Sequence, residues 1–492
     1  MRPMPPLLPT SPKRIALVLA LSLGLGGCAS WQQPASKALP AELQQALQQA
    51  GLPESALGLV AFPLHARGTG PRVQADVAMQ PGSTMKLVTA VVALDQLGAN
   101  TRGRTDLLIA DTPQGDVLPG PLYLRGGADP DLDWPALWLM LRQLREQGLR
   151  EIRGGLVVDR SLFNPARPEL GVAPFDEAPE FPYNVIPDAL NLNGSLLQFE
   201  FSADAQALRA RSSPVWPGLQ VDVSSVRLAP NRACKDWEQG WLPPQVLPRP
   251  EGQVVLQLQG EFPANCQQRQ ALNLLDRQWL TAQLLRQLWR ELGGEISGPD
   301  VEAATPAGAQ LRASHQGRPL AEAMRGMMKQ SDNALTRLVY LQLGSRVAAP
   351  GQATQDAAAA QVRAWFAAKG LDSSGLVMDN GSGLSRSERI KPAQLAALLA
   401  VAWDGPQAPE LLNSLPIAGV DGTMRRRLKG TAAEGQARLK TGTLRDVTAL
   451  AGYAFDAQHK PWVLVAIVND AAAAAKGRAV LDAAVEWVAK QQ

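Results

Sequence analysis

The spacing of apolar and polar positions changes several times along this chain, and each change marks an element. Residues 41–50 (AELQQALQQA) place leucines four apart and stop at Gly51, which predicts a short helix with one polar face. Residues 56–64 and 72–79 read as strands joined by a turn rich in Gly and Arg. Residues 83–97 are apolar on nearly every face apart from Thr84, Lys86, Thr89 and the last turn, and they end at Gly98. A helix of that composition is buried on most sides.

From about residue 104 to 305 the texture shifts. Short β-like runs at 118–125, 155–159, 196–201, 220–227 and 254–258 are separated by turns rich in Pro and Gly, with amphipathic helices at 137–147 and 279–292. Helical spacing then resumes over 320–343, interrupted at Ser331-Asp332-Asn333. Three strands follow at 436–443, 447–455 and 462–469, with connections short enough to make them antiparallel hairpins, and 471–490 closes as a helix. The expected fold is α+β: a five-stranded antiparallel sheet between helical layers. The domain carrying it is split into 41–103 and 306–492 by a β-rich insertion, 104–305, containing two nested units.

The chain has 492 residues, 46% hydrophobic and 19% charged. That supplies a large core and too little charge for disorder. A balance of 48 Lys+Arg against 45 Asp+Glu argues against a nucleic-acid binder. None of the three histidines (His65, His315, His459) stands in an HExxH or paired His/Cys pattern, so neither a metal nor a cofactor is expected.

Arg2, Lys13 and Arg14 precede an apolar run over 15–27. The run is shorter than the ~20 residues a membrane span needs but fits a secretory leader. It ends Leu25-Gly26-Gly27-Cys28, which resembles a bacterial lipobox. On that reading 1–27 is a cleaved signal peptide, Cys28 carries the lipid, and 28–40 tethers a periplasmic protein to the outer membrane. An ordinary signal peptide or an uncleaved anchor is the alternative. Cys234 and Cys266 then remain as an even pair in an oxidising compartment, where a disulfide is expected, the alternative being two buried thiols.

Three short patterns carry chemistry. Ser83-Thr84-Met85-Lys86 opens the buried helix; Ser and Lys three apart share a face, so Nζ reaches Oγ. Burial disfavours the ammonium form, leaving an amine able to take the serine proton. The bland reading is a capping Ser and a snorkelling Lys. Ser331-Asp332-Asn333 interrupts a helix pair, where a plain N-cap would serve. Lys440-Thr441-Gly442-Thr443 lies near a strand end, with Gly442 allowing another backbone to approach; an edge strand guarded by a Lys is the bland alternative.

Taken in order, serine–x–x–lysine, serine–x–asparagine and lysine–threonine–glycine form the signature of penicillin-binding proteins and serine β-lactamases. The 248 residues from Ser83 to Ser331 leave room for a large insertion. With that spacing the chain resembles the class C low-molecular-mass penicillin-binding proteins, the D-alanyl-D-alanine carboxypeptidase/endopeptidase family. Stretches 123–130 (YLRGGADP), 379–386 (DNGSGLSR), 415–419 (LPIAG) and 421–423 (DGT) extend the resemblance. It implies a serine DD-peptidase that acts on peptidoglycan stem peptides and is acylated by β-lactams. Ser83 would be the nucleophile and Lys86 its base. Ser331 would relay a proton to the leaving amine, Asn333 would orient the acyl-side amide, and Lys440 would lend positive potential. Thr441, Gly442 and Thr443 would bind substrate. An acid from the insertion lies near the diaminopimelate pocket in that family, and Asp176 is the candidate here. A β-lactam hydrolase of the same fold and a non-catalytic periplasmic scaffold are the competing readings.

Overall fold

Uninterrupted apolar runs near the C-terminus belong to strands covered on both faces. The computed structural model describes residues 39–492, apart from 214 and 217; the expected leader, Cys28 and the expected tether as far as residue 38 lie outside the described residues. Strands β1 (Leu57–Pro63), β2 (Arg72–Val73), β3 (Ala437–Leu444), β4 (Val447–Phe455) and β5 (Pro461–Asn469) form an antiparallel sheet of order β3-β4-β5-β1-β2. Helices α1 (Ala41–Ala50), α2 (Lys86–Gln96), α3 (Leu320–Lys329), α4 (Asn333–Ser345), α5 (Pro392–Asp404) and α6 (Ala473–Ala489) accompany it.

Side chains alternate across a strand, so each strand feeds two cores. Val463, Val465 and Ile467 of β5 join Val60 and Phe62 of β1 in a core with α2 and α5. Leu464, Ala466 and Val468 join Leu57, Leu59 and Ala61 in a second core, with Leu43 and Leu47 of α1 and Leu481 and Val485 of α6. Helix α2 lies inside the first core until its last turn, where Asp95 and Gln96 are exposed, as its apolar circumference requires: Leu87, Val88, Ala90, Val92 and Ala93 are fully buried.

The α+β architecture and its five-stranded antiparallel sheet match the sequence expectation. Two of the expected strands depart from it. The strand expected over 72–79 pairs with β1 only at Arg72 and Val73, because Gln74 turns to a φ of 45° and ends the extended run. The run at 118–125 divides into Val117–Leu118 and Leu122–Gly127, which enter different sheets. Pro119-Gly120-Pro121 between them interrupts the ladder.

Between the two groups of elements lie a five-stranded sheet, closed by Gln310–Gln316 against Arg104–Ile109, and three three-stranded sheets. Asp133 and Asp276 cap the helices Trp134–Glu146 and Arg277–Glu291, accepting from Ala136 N (2.8 Å) and Trp279 N (3.0 Å). Cys234 and Cys266 form a disulfide beside the packed rings of Phe201, Trp237, Trp241 and Phe262.

Candidate active site

The chain enters the core through a single tight turn. Residues Gly82–Met85 form a 3₁₀ turn that runs directly into α2, so Ser83 stays half-buried while Lys86 is wholly enclosed. Lys86 Nζ donates to Ser83 Oγ at 3.1 Å, to Asn333 Oδ1 at 2.6 Å and to the Ser382 carbonyl at 2.5 Å. Three acceptors hold the amine in one place. Burial pulls Lys86 down from 10.5 to about 7, against the opposing charges of Glu388 and Asp332 and with help from Arg337. Near neutral pH a large share of this amine is therefore unprotonated and faces a serine hydroxyl.

Ser331 sits between α3 and α4 with a φ of 60°, a conformation few non-glycine residues adopt. The cap of α4 is Asp332, whose Oδ1 accepts from Leu335 N at 2.9 Å. Ser331 is thereby released from capping, and its Oγ accepts from Lys440 Nζ at 2.9 Å. Lys440 is fully buried on β3 and also donates to the Thr441 carbonyl at 2.7 Å. Burial, with repulsion from Lys86 added, holds its amine well below the usual lysine range. Asn333 is engaged at both ends, its Nδ2 donating to the Tyr183 carbonyl at 3.0 Å.

Glycines bring β3 against the nucleophile turn. A Cβ on Gly442 would stand 2.9 Å from Ser83 N, and one on Gly82 would stand 3.3 Å from Thr443 N. The absent side chains leave the Ser83 and Thr443 amides on adjoining backbones at the mouth of the site, where exposed Thr443 meets solvent. Thr441 Oγ1 donates to Thr423 Oγ1 at 2.8 Å.

Thus Ser83, Lys86 and Asn333 form one bonded cluster, and Ser331 and Lys440 another beside it. Asp176 touches neither. Its carboxylate accepts from the Tyr183 hydroxyl (2.7 Å) and Asn184 Nδ2 (2.8 Å), and it reaches the cluster only through the Tyr183 backbone that Asn333 holds. Its neighbours Phe175 and Asn184 line a cavity of about 450 Å³ shared with Arg337, Tyr340 and Arg386. Sequence reasoning missed Glu388, a wholly buried acid behind Lys86, and Arg337, which donates to the Asn184 and Val185 carbonyls. The only local signal for Glu388 was an acid following a Gly/Ser-rich stretch.

Comparison with known proteins identifies the family. The model of the D-Ala-D-Ala carboxypeptidase 3 (S13) family matches residues 39–491. A D-alanyl-D-alanine carboxypeptidase of an Actinomadura species is 31% identical over 385 residues, covering 76% of this chain and 70% of its own. The D-alanyl-D-alanine carboxypeptidase DacB of Haemophilus influenzae is 28% identical, covering 80% of both. The crystal structure of penicillin binding protein 4 from Haemophilus influenzae superposes with a TM-score of 0.74 at 23% identity, over 91% of this chain and 99% of that one. A fold shared over that length and a family match spanning nearly all described residues place this chain in the D-Ala-D-Ala carboxypeptidase 3 (S13) family.

Proposed function

We propose that this protein hydrolyses the D-Ala-D-Ala ends and D-Ala–diaminopimelate cross-links of peptidoglycan through an acyl-enzyme on Ser83. The observation that carries the reading is the enclosed Lys86 amine, 3.1 Å from Ser83 Oγ and shifted to about 7. Neutral Lys86 takes the Ser83 proton as Oγ attacks the scissile carbonyl. The amides of Ser83 and Thr443 receive the oxyanion, where losing one donor costs about 10²–10³ in rate. Ser331, bonded to Lys440, relays a proton to the departing amine and takes back the one Lys86 had received, so both side chains return to their starting state. Water then attacks the ester and returns Ser83. A β-lactam enters the same path, and its opened ring keeps the leaving group in place.

Asn333, held at both ends, fixes the direction of the Lys86 amine. Thr441, Gly442 and Thr443 face a terminal carboxylate, and Asp176 offers charge to the ammonium of a diaminopimelate side chain. The interposed elements act as an accessory unit that extends to Gln316, since Gln310–Gln316 pairs with Arg104–Ile109. Cys28 anchors the protein by lipid to the outer membrane, in the periplasm; palmitate labelling lost in Cys28→Ala tests this.

The central test incubates the protein and its Ser83→Ala variant with a fluorescent penicillin and with a D-Ala-D-Ala pentapeptide. Stoichiometric labelling and D-Ala release by the parent alone are expected. Absence of both refutes the reading, and rapid penicillin turnover assigns a β-lactam hydrolase instead.

A further inference from the structure

We infer that Glu388 is a positioning residue for acylation: through the Ser382–Gly383 peptide its carboxylate holds the Lys86 amine against Ser83 and balances the ammonium that forms there. The inference rests on the acyl-enzyme reading above and extends it to a residue outside the three motifs.

The geometry is a relay across one peptide group. Glu388 Oε2 accepts from Gly383 N at 2.8 Å, and the carbonyl of that same peptide, on Ser382, accepts from Lys86 Nζ at 2.5 Å. Glu388 Oε1 accepts from Gly381 N at 2.7 Å and Asp379 N at 3.3 Å, so the amides on both sides of Ser382 are tied to one carboxylate. Within the loop, Asn380 Oδ1 accepts from Ser382 N at 3.0 Å and from Ser382 Oγ at 2.6 Å, and its Nδ2 donates to the Leu384 carbonyl at 2.8 Å. Gly381 and Gly383 have φ of 71° and 82°, and a Cβ on Gly383 would stand 2.0 Å from the Gly82 carbonyl. The loop thus lies directly on the nucleophile turn, and Glu388 ties down the amides of Asp379, Gly381 and Gly383 within it.

A buried carboxylate with no cation in direct contact among the described residues needs a reason. Charged and titratable groups facing Glu388 are Asp379 on its own loop, Lys86 on α2, and Arg337 and Tyr340 on α4. Arg337 directs its guanidinium to the Asn184 and Val185 carbonyls. Lys86 faces Asp332, Arg337 and Lys440 besides. When Ser83 gives its proton to Lys86, the new ammonium appears one peptide away from Glu388. Burial raises Glu388 itself to about 7, so it carries its charge as pH passes that value; once ionised it favours the ammonium over the amine, and its removal shifts Lys86 further down.

The test follows acylation of Ser83 by a fluorescent penicillin from pH 5 to 10 in the parent, Glu388→Gln and Glu388→Asp, with melting temperatures alongside. The Gln amide nitrogen cannot accept a backbone N–H. Glu388→Gln is expected to acylate about 10–100-fold more slowly at the plateau, with its acid limb displaced to lower pH. Glu388→Asp keeps the charge, so its limb stays at the parental pH while the plateau falls less. A Glu388→Gln protein with an unmoved limb overturns the inference, whatever its melting temperature, because a mere brace would not move it. If that variant does not fold, Glu388→Asp decides: parental rates at every pH overturn the inference. Failure of the parent itself to label at Ser83 overturns the acyl-enzyme reading beneath it, which a labelled parent with unresponsive Glu388 variants does not.

Discussion

Asn333→Asp replaces an oxygen acceptor of Lys86 by a charged one of the same shape. The gap is 2.6 Å. Two unit charges at that distance attract by about 6 kcal/mol at an effective dielectric of about 20, equivalent to about 4–5 pK units. Desolvation of the new carboxylate offsets much of this, and an opposite charge at close range moves a group by about 1–3 units in practice. Lys86 therefore rises from about 7 to about 8–10. A group at about 7 is half unprotonated at pH 7; at about 8–10 the unprotonated share is about 9% to 0.1%. Acylation by fluorescent penicillin at pH 7 should slow by about 5- to 500-fold, with the rate recovering as pH passes the new value. Recovery will be incomplete, because the introduced carboxylate cannot donate to the Tyr183 carbonyl as the Asn333 amide does. The measurement is the second-order labelling rate from pH 5 to 10.5. An acid limb still near 7 would refute the claim that Lys86 is the group whose protonation limits acylation.

Further substitutions probe the scaffold. Gly383→Ala forces a Cβ to within 2.0 Å of the Gly82 carbonyl at a φ of 82°, and labelling should fall at least about tenfold. Gly430→Ala, at φ 72° with open space around it, costs only about 1 kcal/mol of stability and leaves labelling unchanged. Removing the Cys234–Cys266 bond, which spans a separation of 32 residues, should lower unfolding stability by about 3–4 kcal/mol in urea titrations. Asp188→Ala leaves buried Arg160 and Arg277 without the carboxylate they share at 2.9 and 3.5 Å; a loss of about 3–5 kcal/mol is expected. A loss under about 1 kcal/mol would show that Glu302 and Glu169, at 3.3 and 3.4 Å, suffice to hold the two guanidinium groups.

Much of the catalytic half was legible because its information is local. Apolar runs at 447–455 and 462–469, separated by short polar connections, announce strands, and Ser83 reaches Lys86 through helical spacing alone. The Ser331 and Lys440 patterns were recognisable as residues, but their union at 2.9 Å depends on a left-handed Ser331 that no periodicity marks. Asp332, rather than Ser331, takes the cap, a choice settled by backbone geometry. Helices Thr354–Ala368 and Pro392–Asp404 escaped notice because their alanine-rich faces lack contrast between buried and exposed positions. Glu388 was invisible for a different reason. Its partners are backbone amides, which every residue but proline possesses, so nothing in the side chains of 379–383 advertised an anion receptor.

The order β3-β4-β5-β1-β2 has a consequence for synthesis. Strand β1 is made early, yet its hydrogen-bonding neighbour β5 leaves the ribosome only after the interposed sheets and α3 to α5. Those sheets pair among their own strands and can close while β1 waits, whereas the central sheet cannot. Lys440 arrives on β3 in the same late segment, so Ser83 and Lys86 spend nearly the whole of translation without the second lysine or the Thr443 amide. Acylating power is thereby withheld until nearly the last strand is delivered, and a chain cut short before β3 would expose the unpaired edge of β1 to other strands and have no site at all.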